Sequence, residues 1–535
     1  MTNLKLRAGQ CLFTLWTLAL LASLAPAQTY TVLHNFVETD GCCTIYPSMM
    51  AQGKDGNIYG TTLSGGTHLE GNVFRITPAG VLTDLHNFNG TDGNGPQGGI
   101  TLAIDGNFYG TTYQGGSGHG TIYKITPAGA FTSLYSFTNN GDGAYPRTPP
   151  VMAMDGNLYG ATGNGTAYVL YRVTTAGVFT VMATLVNQSY SPLLLGTDGN
   201  LYGTTLYGGT YNSGTVFQFS PSAKTIKTLY SFKNEWGAGG PLAQGTDGAL
   251  YGTATWGGTG SSGAIFRITT GGTYKVIYNF TTAGTTDGRL PQNGVVQGSD
   301  GFLYGVASAG GATGQGTLFR VSTAGTGFTL FHSFGTATGD TPATALLLHT
   351  NGTIYGQTEH GGSHAAYGTI FSFSNNLKPF VKPLILVSAK VGASVGLLGQ
   401  GFTKVTGVTF GTTAATYTLT SDTFLTAKPV AGSTTAQITV KEPSGNLLSP
   451  LKFKIVPTMT SFSPTAGPVG TQVVITGMSL SQTTTVKFGG VAATAFTVNS
   501  NTQVTATVPT GAITGKITVS TPGGSATSAT NFTVN

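Results

Sequence analysis

Four aromatic residues stand in glycine-rich loops where an exposed ring could bind a ligand. They are Tyr145 in NNGDGAYP, Tyr207 in YGGTYNSG, Trp236 in KNEWGAGGP and Trp256 in WGGTGSSG. Tyrosine and tryptophan rings combine a broad apolar face with one polar atom, which suits stacking on a sugar ring. We therefore predict a binding surface at these four residues. The alternative is that each ring packs over the backbone of its own loop, since single exposed aromatic residues are ordinary.

Aspartates recur in two series along the chain. Members of the first stand near a proline in connecting loops and could form an acidic ring that binds a cation: Asp40, Asp92, Asp142, Asp287 and Asp340. Members of the second stand in Asp-Gly pairs: Asp55, Asp105, Asp155, Asp198, Asp247 and Asp300. An Asp-Gly pair forms a tight turn because the carboxylate caps the turn and glycine accepts a positive φ. We interpret both series as turn residues.

Two other groups of side chains are candidates for catalysis or metal binding. One position of the repeat carries Arg75, Lys124, Arg172, Arg267 and Arg320, with Gln218 and Ser372 in two copies. A catalytic group is needed only once, so this repetition indicates packing and local pairing. Glu359, His360 and His364 could hold zinc, but no HExxH or Cys/His framework accompanies them. We predict no catalytic residue, no metal and no cofactor, although a propeller enzyme can assemble its site from scattered loops.

A recurring hexapeptide determines the expected fold. Its copies, from NIYGTT to TIYGQT, place tyrosines roughly 50 residues apart at Tyr59, Tyr109, Tyr159, Tyr202, Tyr251, Tyr304 and Tyr355. Each unit has room for four strands, which in the sixth are GVVQGS, FLYGVAS, GTLFRVS and GFTLFHSF. The adjacent residues Leu318 and Phe319 must point to opposite faces of the sheet, so both faces are apolar. Neighbouring blades cover both faces of a propeller blade, and the pattern therefore favours a propeller over a β-sandwich.

The two ends of the repeat region decide between a closed ring and an open solenoid. The seventh unit has an inner strand near Leu346 to Leu348, but the proline-interrupted LKPFVKP stands where its outer strand should be. The segment TYTVLHNF from Thr29 matches the outer strand VLTDLHNF of the first unit before any inner strand has appeared. We predict that residues 29 to 36 complete the seventh unit. The expected fold is an all-β, seven-bladed β-propeller over residues 28–376, closed by its N-terminal strand.

Composition and targeting signals point to export. Lys5, Arg7, an apolar run from Cys11 to Leu24 and Ala25-Pro26-Ala27 resemble a secretory signal peptide over residues 1–27. The run is too short to span a membrane, and no span is predicted elsewhere. The 24 Lys and Arg and 18 Asp and Glu are spread without runs, which argues against a nucleic-acid partner. Cys42 and Cys43 are expected to be two loop thiols or a strained bridge, with intermolecular pairing left open.

Two family resemblances follow from these motifs. The YG-T-T strand, GG loop, G-T-V-F strand and D-G-x-x-P loop resemble the Gloeobacter/Verrucomicrobia repeat called GloVer, which implies an exported bacterial repeat protein without an established activity. Segments of the tail align as VGASVGLLGQGFT with VGTQVVITGMSLS. They resemble the IPT/TIG family, notably through TSFSPTAGPVGTQVVITG. This resemblance implies two Ig-like sandwiches, over residues 377–456 and 457–535, that act as spacers or interaction modules.

We predict a secreted, non-catalytic binding or cell-surface interaction protein whose propeller presents a surface for an extracellular glycan or a surface protein. It is expected outside the cell or at the cell surface. Two alternatives remain open: an extracellular polysaccharide lyase or glycoside hydrolase, and a structural envelope protein without a small ligand.

Overall fold

The computed structural model describes residues 28–44, 48–163, 167–233, 239–281 and 287–535. The predicted signal peptide over residues 1–27 and the predicted binding residue Trp236 lie outside these ranges. Within them the fold is all-β, with a 3-10 helix at Phe402–Lys404. No helix among the described residues is long and apolar enough to cross a membrane.

The repeats form successive four-stranded antiparallel sheets, A to F, in which each strand pairs with the next along the chain. Sheet A holds β2 (Ala51–Gln52), β3 (Ile58–Thr62), β4 (Asn72–Ile76) and β5 (Leu82–Asn87). Sheet B holds β6 (Ile100–Leu102), β7 (Phe108–Thr112), β8 (Thr121–Ile125) and β9 (Phe131–Ser136). Sheet C holds β10 (Val151–Met152), β11 (Leu158–Ala161), β12 (Val169–Val173) and β13 (Phe179–Thr184).

Sheets D to F repeat this order. Sheet D holds β14 (Leu194–Leu195), β15 (Leu201–Thr205), β16 (Thr215–Ser220) and β17 (Thr225–Ser231). Sheet E holds β18 (Ala243–Gln244), β19 (Leu250–Ala254), β20 (Ala264–Ile268) and β21 (Tyr274–Asn279). Sheet F holds β22 (Val295–Gln297), β23 (Leu303–Ala307), β24 (Thr317–Val321) and β25 (Thr329–Ser333).

The last repeat sheet, sheet G, takes its outer strand from the other end of the chain. Its local strands are β26 (Asp340–Pro342), β27 (Leu347–Leu348), β28 (Ile354–His360) and β29 (Thr369–Ser374). The strand β1 (Thr29–Asn35) pairs antiparallel with β29, from Thr29 opposite Ser374 to Asn35 opposite Thr369. The strand β26, which the repeat pattern does not predict, pairs with the far end of β28.

Apolar side chains on both faces of each sheet build the core. In β23 and β24, Leu303, Tyr304, Leu318 and Phe319 are all fully buried, as their alternating directions require. Each contributes to a cluster shared with a neighbouring sheet: Leu303 and Phe319 face sheet E, whereas Tyr304 and Leu318 face sheet G. Small four-stranded sheets packed face to face in chain order are typical of a propeller-like fold.

Outer strands of neighbouring sheets contact each other through a repeated ring stack. Phe131 of sheet B lies on His86 of sheet A with ring centroids 3.9 Å apart, and Tyr274 of sheet E lies on Tyr230 of sheet D at 3.9 Å. Tyr30 of β1 lies in the same way on His332 of sheet F, at 3.9 Å. The strand β1 therefore makes for sheet G the side-chain contact that a local outer strand makes elsewhere.

The chain continues into two tail units, each with its own apolar core. The first tail unit holds β30 (Lys382–Pro383), β31 (Ser388–Ala389), β32 (Val395–Leu398), β33 (Gly407–Phe410), β34 (Thr413–Ser421), β35 (Phe424–Lys428), β36 (Ile438–Glu442), β37 (Gly445–Leu448) and β38 (Lys454–Ile455). The second holds β39 (Thr458–Ser463), β40 (Ala466–Gly467), β41 (Gln472–Met478), β42 (Thr485–Phe488), β43 (Val491–Ala492), β44 (Phe496–Val498), β45 (Gln503–Thr507), β46 (Gly515–Thr521) and β47 (Gly524–Val534).

The two ends of the repeat sheets differ in what covers them. One end, the hairpin face, carries the turns between first and second strands; the other, the loop face, carries the second-to-third-strand loops and the connections between sheets. The first tail unit packs on the hairpin face, where Thr423 Oγ1 donates to the Lys54 carbonyl at 2.7 Å and the Lys54 ammonium lies 4.7 Å from the Phe424 ring centroid. Leu398 and Phe424 share a core cluster with Tyr59 of sheet A. These contacts between the first tail unit and the repeat sheets, within the described part of the chain, lie on the hairpin face.

A buried histidine joins sheet G to sheet A on the hairpin face. His349 is fully buried; its Nδ1 accepts from the Asn351 backbone N–H at 3.2 Å, so the Nε2 proton points to the Gly56 carbonyl at 3.0 Å. Burial lowers the pKa of His349 below its ordinary value near 6.5. The unfolded chain therefore binds a proton before the folded protein does, and stability is lost as the pH falls from about 6.5 toward the folded-state pKa.

We expect acidification below about pH 6.5 to destabilise the protein, by at most about 1.4 kcal/mol per pH unit for each such histidine. His349→Gln removes this titration and should flatten the acid side of a plot of melting temperature against pH. His86 and His332, whose pKa values burial also lowers, contribute to the remaining slope. The exposed residue His68 gives the matched control, His68→Gln, which should keep the wild-type slope. Equal slopes in the wild type and in His349→Gln would refute the assignment.

Candidate functional site

The Asp-Gly aspartates form a structural device on the hairpin face. Each carboxylate accepts a hydrogen bond from the hydroxyl of the repeat tyrosine four residues later, as in Tyr109 to Asp105 at 2.8 Å and Tyr202 to Asp198 at 2.6 Å. Each also accepts from the backbone N–H two residues on, as Asp105 does from Asn107 at 3.0 Å. These contacts confirm the turn interpretation of Asp55, Asp105, Asp155, Asp198, Asp247 and Asp300.

Four aspartates of the connecting loops accept backbone hydrogen bonds from their own loops: Asp40, Asp92, Asp142 and Asp287. Asp142 accepts from the Tyr135 hydroxyl at 2.8 Å and from the backbone of Thr138 and Asn140, and Asp287 accepts from the Tyr278 hydroxyl at 2.9 Å. No group of three His, Cys, Asp or Glu residues among the described residues could hold a metal ion. The turn interpretation fits these four aspartates, whereas Asp340 begins β26 and accepts from Gln315 Nε2 of another loop at 3.3 Å.

The repeated basic position pairs locally, as its repetition predicts. Arg267 Nη2 lies 2.8 Å from Asp247 Oδ2, and Arg320 Nη1 lies 3.2 Å from Asp300 Oδ2. Arg75 and Arg172 donate instead to threonine hydroxyls of the adjacent outer strands. These four arginines thus form their ion pairs and hydrogen bonds within their own sheets.

The histidines of sheet G and the cysteine pair lie at the junction of sheets G and A. His360 Nε2 is 3.8 Å from Glu359 Oε1, while His364 bonds to Ser363 beside it. Cys42 and Cys43 are both free thiols. Their mutual hydrogen bond lowers the pKa of Cys42 and raises that of Cys43.

The first tail unit contains a sequence motif that also occurs in hydrolases. Residues Gly392 to Gly396 read GASVG, which fits the GxSxG pattern of a nucleophile elbow. An elbow places its serine between a strand and a helix, whereas Ser394 is exposed and leads directly into β32, with the 3-10 turn only after that strand. The pattern does not form a nucleophile elbow here.

An arginine held between two tyrosine rings forms the most distinctive cluster of the loop face. The Arg147 guanidinium carbon lies 4.6 Å from the ring centroid of Tyr113 and 4.6 Å from that of Tyr190. Arg147 Nη1 donates to Gln97 Oε1 at 3.1 Å, and Nη2 lies 3.4 Å from the Tyr113 hydroxyl. These residues come from four separate loops between β5 and β14, so only the packing of consecutive sheets brings them together.

The cluster extends through two more side chains. The Tyr145 ring lies 5.2 Å from that of Tyr113, and its hydroxyl is 3.2 Å from His119 Nδ1. Burial raises the pKa of Tyr190; the Arg147 charge opposes this effect, and Tyr113 and Tyr207 add to it. We refer to Tyr113, Tyr145, Arg147 and Tyr190 as the tyrosine-arginine cluster.

Gly163 leaves room for the side chain of Arg147. A Cβ atom at Gly163 would stand 2.7 Å from the Tyr145 carbonyl oxygen and 3.1 Å from Arg147 Cγ. The stem of Arg147 therefore passes directly over the Gly163 backbone, where a larger residue would displace it. All four cluster residues are half-buried, and Arg147 Nε is buried without a hydrogen-bond partner.

Two protein-family models match the chain. The model of the Gloeobacter/Verrucomicrobia repeat matches residues 19–192, 169–297 and 238–448. The chain belongs to this family. The IPT/TIG domain model matches residues 457–534, so the second tail unit is confirmed as such a domain. The identity of residues 377–456 as a further IPT/TIG domain stays a prediction.

Comparison of this Gloeobacter/Verrucomicrobia repeat protein with solved structures gives distant similarities. A gluconolactonase from Xanthomonas campestris is 11% identical with a TM-score of 0.36, covering 66% of this chain and 92% of its own. A surface glycan-binding protein from Prevotella bryantii is 20% identical with a TM-score of 0.23, covering 29% and 41%. A fungal alcohol oxidase is 12% identical with a TM-score of 0.43, covering 95% and 100%. A search of curated proteins gives no match.

The predicted binding residues of the repeat protein are distributed unevenly. Tyr145 belongs to the tyrosine-arginine cluster, and Tyr207, 40% exposed, is near enough to Tyr190 to affect its pKa. Trp256 is 53% exposed, and no ring contact joins it to the cluster among the described residues. The structure thus joins Tyr145 and, through its effect on Tyr190, Tyr207 to the cluster, whereas Trp256 is an exposed residue of a sheet E loop.

Sequence reasoning did not single out Tyr113, Arg147 or Tyr190, although one signal was present. The residue after the loop proline is uncharged in Pro47-Ser48, Pro96-Gln97, Pro291-Gln292 and Pro342-Ala343 but is arginine in Pro146-Arg147. A charge in one copy of a repeated position indicates a role that the repeat itself does not require.

Proposed function

We propose that this protein is exported and binds a glycan without catalysis, through the tyrosine-arginine cluster on the loop face of a closed seven-bladed propeller. Residues 28–376 form the propeller in this proposal. Two Ig-like units, residues 377–456 and 457–535, hold it away from its attachment point. Export through residues 1–27 rests on the sequence pattern alone.

Contacts between sheets G and A support the closed ring. The Ala345 N–H donates to the Ser48 carbonyl at 3.0 Å, and Gln52 Nε2 donates to Thr350 Oγ1 at 2.7 Å. Phe36 of the N-terminal segment, Phe74 of sheet A and Ile370 of sheet G share one apolar cluster. The same kind of cluster joins the other neighbouring sheets, so the two ends of the series meet as ordinary neighbours.

The single observation that carries the binding role is the Arg147 guanidinium between Tyr113 and Tyr190. Tyrosine, arginine and histidine side chains offer ring faces, hydroxyls and N–H donors, which are the groups that recognise sugars. The cluster contains no carboxylate, so it does not supply the carboxylate pair that glycoside hydrolysis requires. Tyrosine and histidine are also acid–base groups, so the measured release of sugar decides between binding and cleavage by a lyase.

Contacts of the tail units support a spacer role. The first tail unit covers part of the hairpin face, opposite the cluster. The second tail unit meets the first through Gln482, whose Oε1 accepts from the Thr435 N–H at 2.8 Å and whose Nε2 donates to the Thr435 carbonyl at 3.3 Å. An attachment through the tail would thus leave the loop face directed outward.

A glycan array read together with an assay for released reducing ends tests this proposal. We expect retention on at least one polysaccharide without release of sugar. Tyr113→Ala and Tyr190→Ala should each weaken retention about tenfold, which corresponds to the loss of one ring contact of about 1.4 kcal/mol. Tyr417→Ala, at an exposed tyrosine of the first tail unit, is the matched control and should bind like the wild type. Turnover would favour a lyase or hydrolase, and silence in both assays would favour a structural envelope protein.

A further inference from the structure

The charge of Arg147 has no acidic partner among the described residues. Ion pairs there include Arg267 with Asp247 and Arg320 with Asp300, but none involves Arg147. Its polar contacts are the neutral Gln97 amide oxygen and the Tyr113 hydroxyl. Arginine remains charged at every physiological pH and presents five N–H donors, so donors remain after these two contacts.

The nearest carboxylate along the connecting loop does not neutralise it. Asp142 is buried, and its two oxygens accept from the Tyr135 hydroxyl, the Thr138 N–H and the Asn140 N–H. Its negative charge is stabilised within its own turn. Arg147 is half-buried, held between two rings and without a carboxylate partner among the described residues. A fixed guanidinium pairs with a carboxylate through two parallel hydrogen bonds, so this arginine can bind an anionic group of a ligand.

We propose that the ligand of the tyrosine-arginine cluster is an acidic polysaccharide, whose uronate carboxylate pairs with Arg147 while Tyr113, Tyr145 and Tyr190 contact the sugar rings. This inference rests on the proposed glycan-binding function and specifies the class of glycan. The two tyrosine rings keep the guanidinium plane in place, which reduces the entropy that the arginine loses on binding. Gly163 keeps the space that this arrangement of Arg147 requires.

Two probes that differ only in charge test the inference. Polygalacturonate and alginate are each compared with their esters, methyl-esterified polygalacturonate and propylene glycol alginate, by calorimetric titration of the full mature chain. The acidic form of at least one pair should bind about tenfold or more tightly than its ester, since a charge-assisted hydrogen bond contributes about 1.5–3 kcal/mol.

Arg147→Gln should remove the preference for the acid, so that the acid and its ester bind with equal affinity, whatever loss of affinity the two share. Lys487→Gln removes an equal charge from an exposed site on the second tail unit and should keep the preference, which excludes general attraction of a polyanion to a basic protein. A melting temperature for Arg147→Gln within a few degrees of the wild type shows that the variant is folded.

The outcomes separate the two proposals. Equal affinity for acid and ester, or a preference that survives in Arg147→Gln, overturns the acidic-ligand inference and leaves the glycan-binding function intact. Absence of binding to every acidic and neutral polysaccharide overturns the glycan-binding function and the inference with it. Loss of preference in Lys487→Gln as well as in Arg147→Gln overturns the assignment to Arg147.

Discussion

Deletion of residues 28–36 is expected to leave the protein aggregated or to lower the melting temperature of its repeat region by about 10 °C or more. The segment contains β1, which supplies the outer strand of sheet G. It also contains Phe36, which is fully buried against sheets A and G. Removing it would expose the backbone donors and acceptors of β29 together with apolar surface, and such an edge recruits other chains.

Side-chain contacts of Tyr30 hold β1 against the neighbouring sheet F. Its ring stacks on His332 at 3.9 Å, and its hydroxyl donates to the Thr338 carbonyl at 2.7 Å. Tyr30→Ala alone should therefore cost a few kcal/mol, in the range of large-to-small substitutions in a core. Phe179→Ala, which removes the equivalent stack between sheets C and B, is the matched comparison, with ring centroids 4.0 Å apart in the wild type.

A C-terminal deletion of equal length controls for truncation itself. Removing residues 527–535 shortens β47 and should unfold the second tail unit alone, with the unfolding of the repeat region unchanged. Calorimetry resolves the two transitions. An N-terminal deletion as soluble and stable as residues 28–535 would contradict ring closure and favour an open solenoid.

Gly252→Ala is expected to destabilise sheet E strongly, although it adds only one methyl group. A Cβ atom at Gly252 would stand 2.5 Å from Phe266 Cζ on the adjacent strand and 2.9 Å from Leu242 Cδ2. Both neighbours are buried and close-packed, so neither can move freely. Overpacking of this kind costs about 1–3 kcal/mol, occasionally more. The glycine of the repeated YG motif is thus the space into which the third-strand aromatic ring fits.

Gly271→Ala is the control within the same sheet. Its Cβ would have only Thr269 Oγ1 nearby, at 3.7 Å, and its φ is not in the left-handed region. We expect this variant to unfold at the wild-type temperature or slightly above it, since alanine reduces the entropy of the unfolded chain. Equal melting temperatures for Gly252→Ala and Gly271→Ala would contradict the packing account of the motif.

The repeat pattern predicted the sheets well because each strand carries its own local signal. The four segments named for the sixth unit correspond to β22, β23, β24 and β25, and the predicted pairing of the N-terminal segment corresponds to β1 with β29. Alternation of apolar residues, Asp-Gly turns and the YG motif all act over a few residues. Such local signals can be recognised in a single sequence.

The tyrosine-arginine cluster was not predicted, because its members come from separate loops. Tyr113, Arg147 and Tyr190 meet only when consecutive sheets pack side by side, and neither ring stands in a pattern of its own. Docking of the first tail unit on the hairpin face depends likewise on long-range contacts, such as Thr423 with Lys54. By contrast, Trp256 was prominent in the sequence and is exposed, but no ring contact with the cluster is present among the described residues.

Hydrogen–deuterium exchange with and without a polysaccharide selected by the glycan array tests the central claim most directly. The loops of the cluster contain measurable amides, among them the Tyr113 N–H bonded to the Gly95 carbonyl at 2.9 Å and the Tyr145 N–H bonded to the His119 carbonyl at 2.8 Å. We predict that the ligand slows exchange in residues 113–120, 145–150 and 186–191, and that the Asp-Gly hairpins and both tail units exchange as before. Protection confined to the hairpin face or to the tail units would contradict a binding site on the loop face.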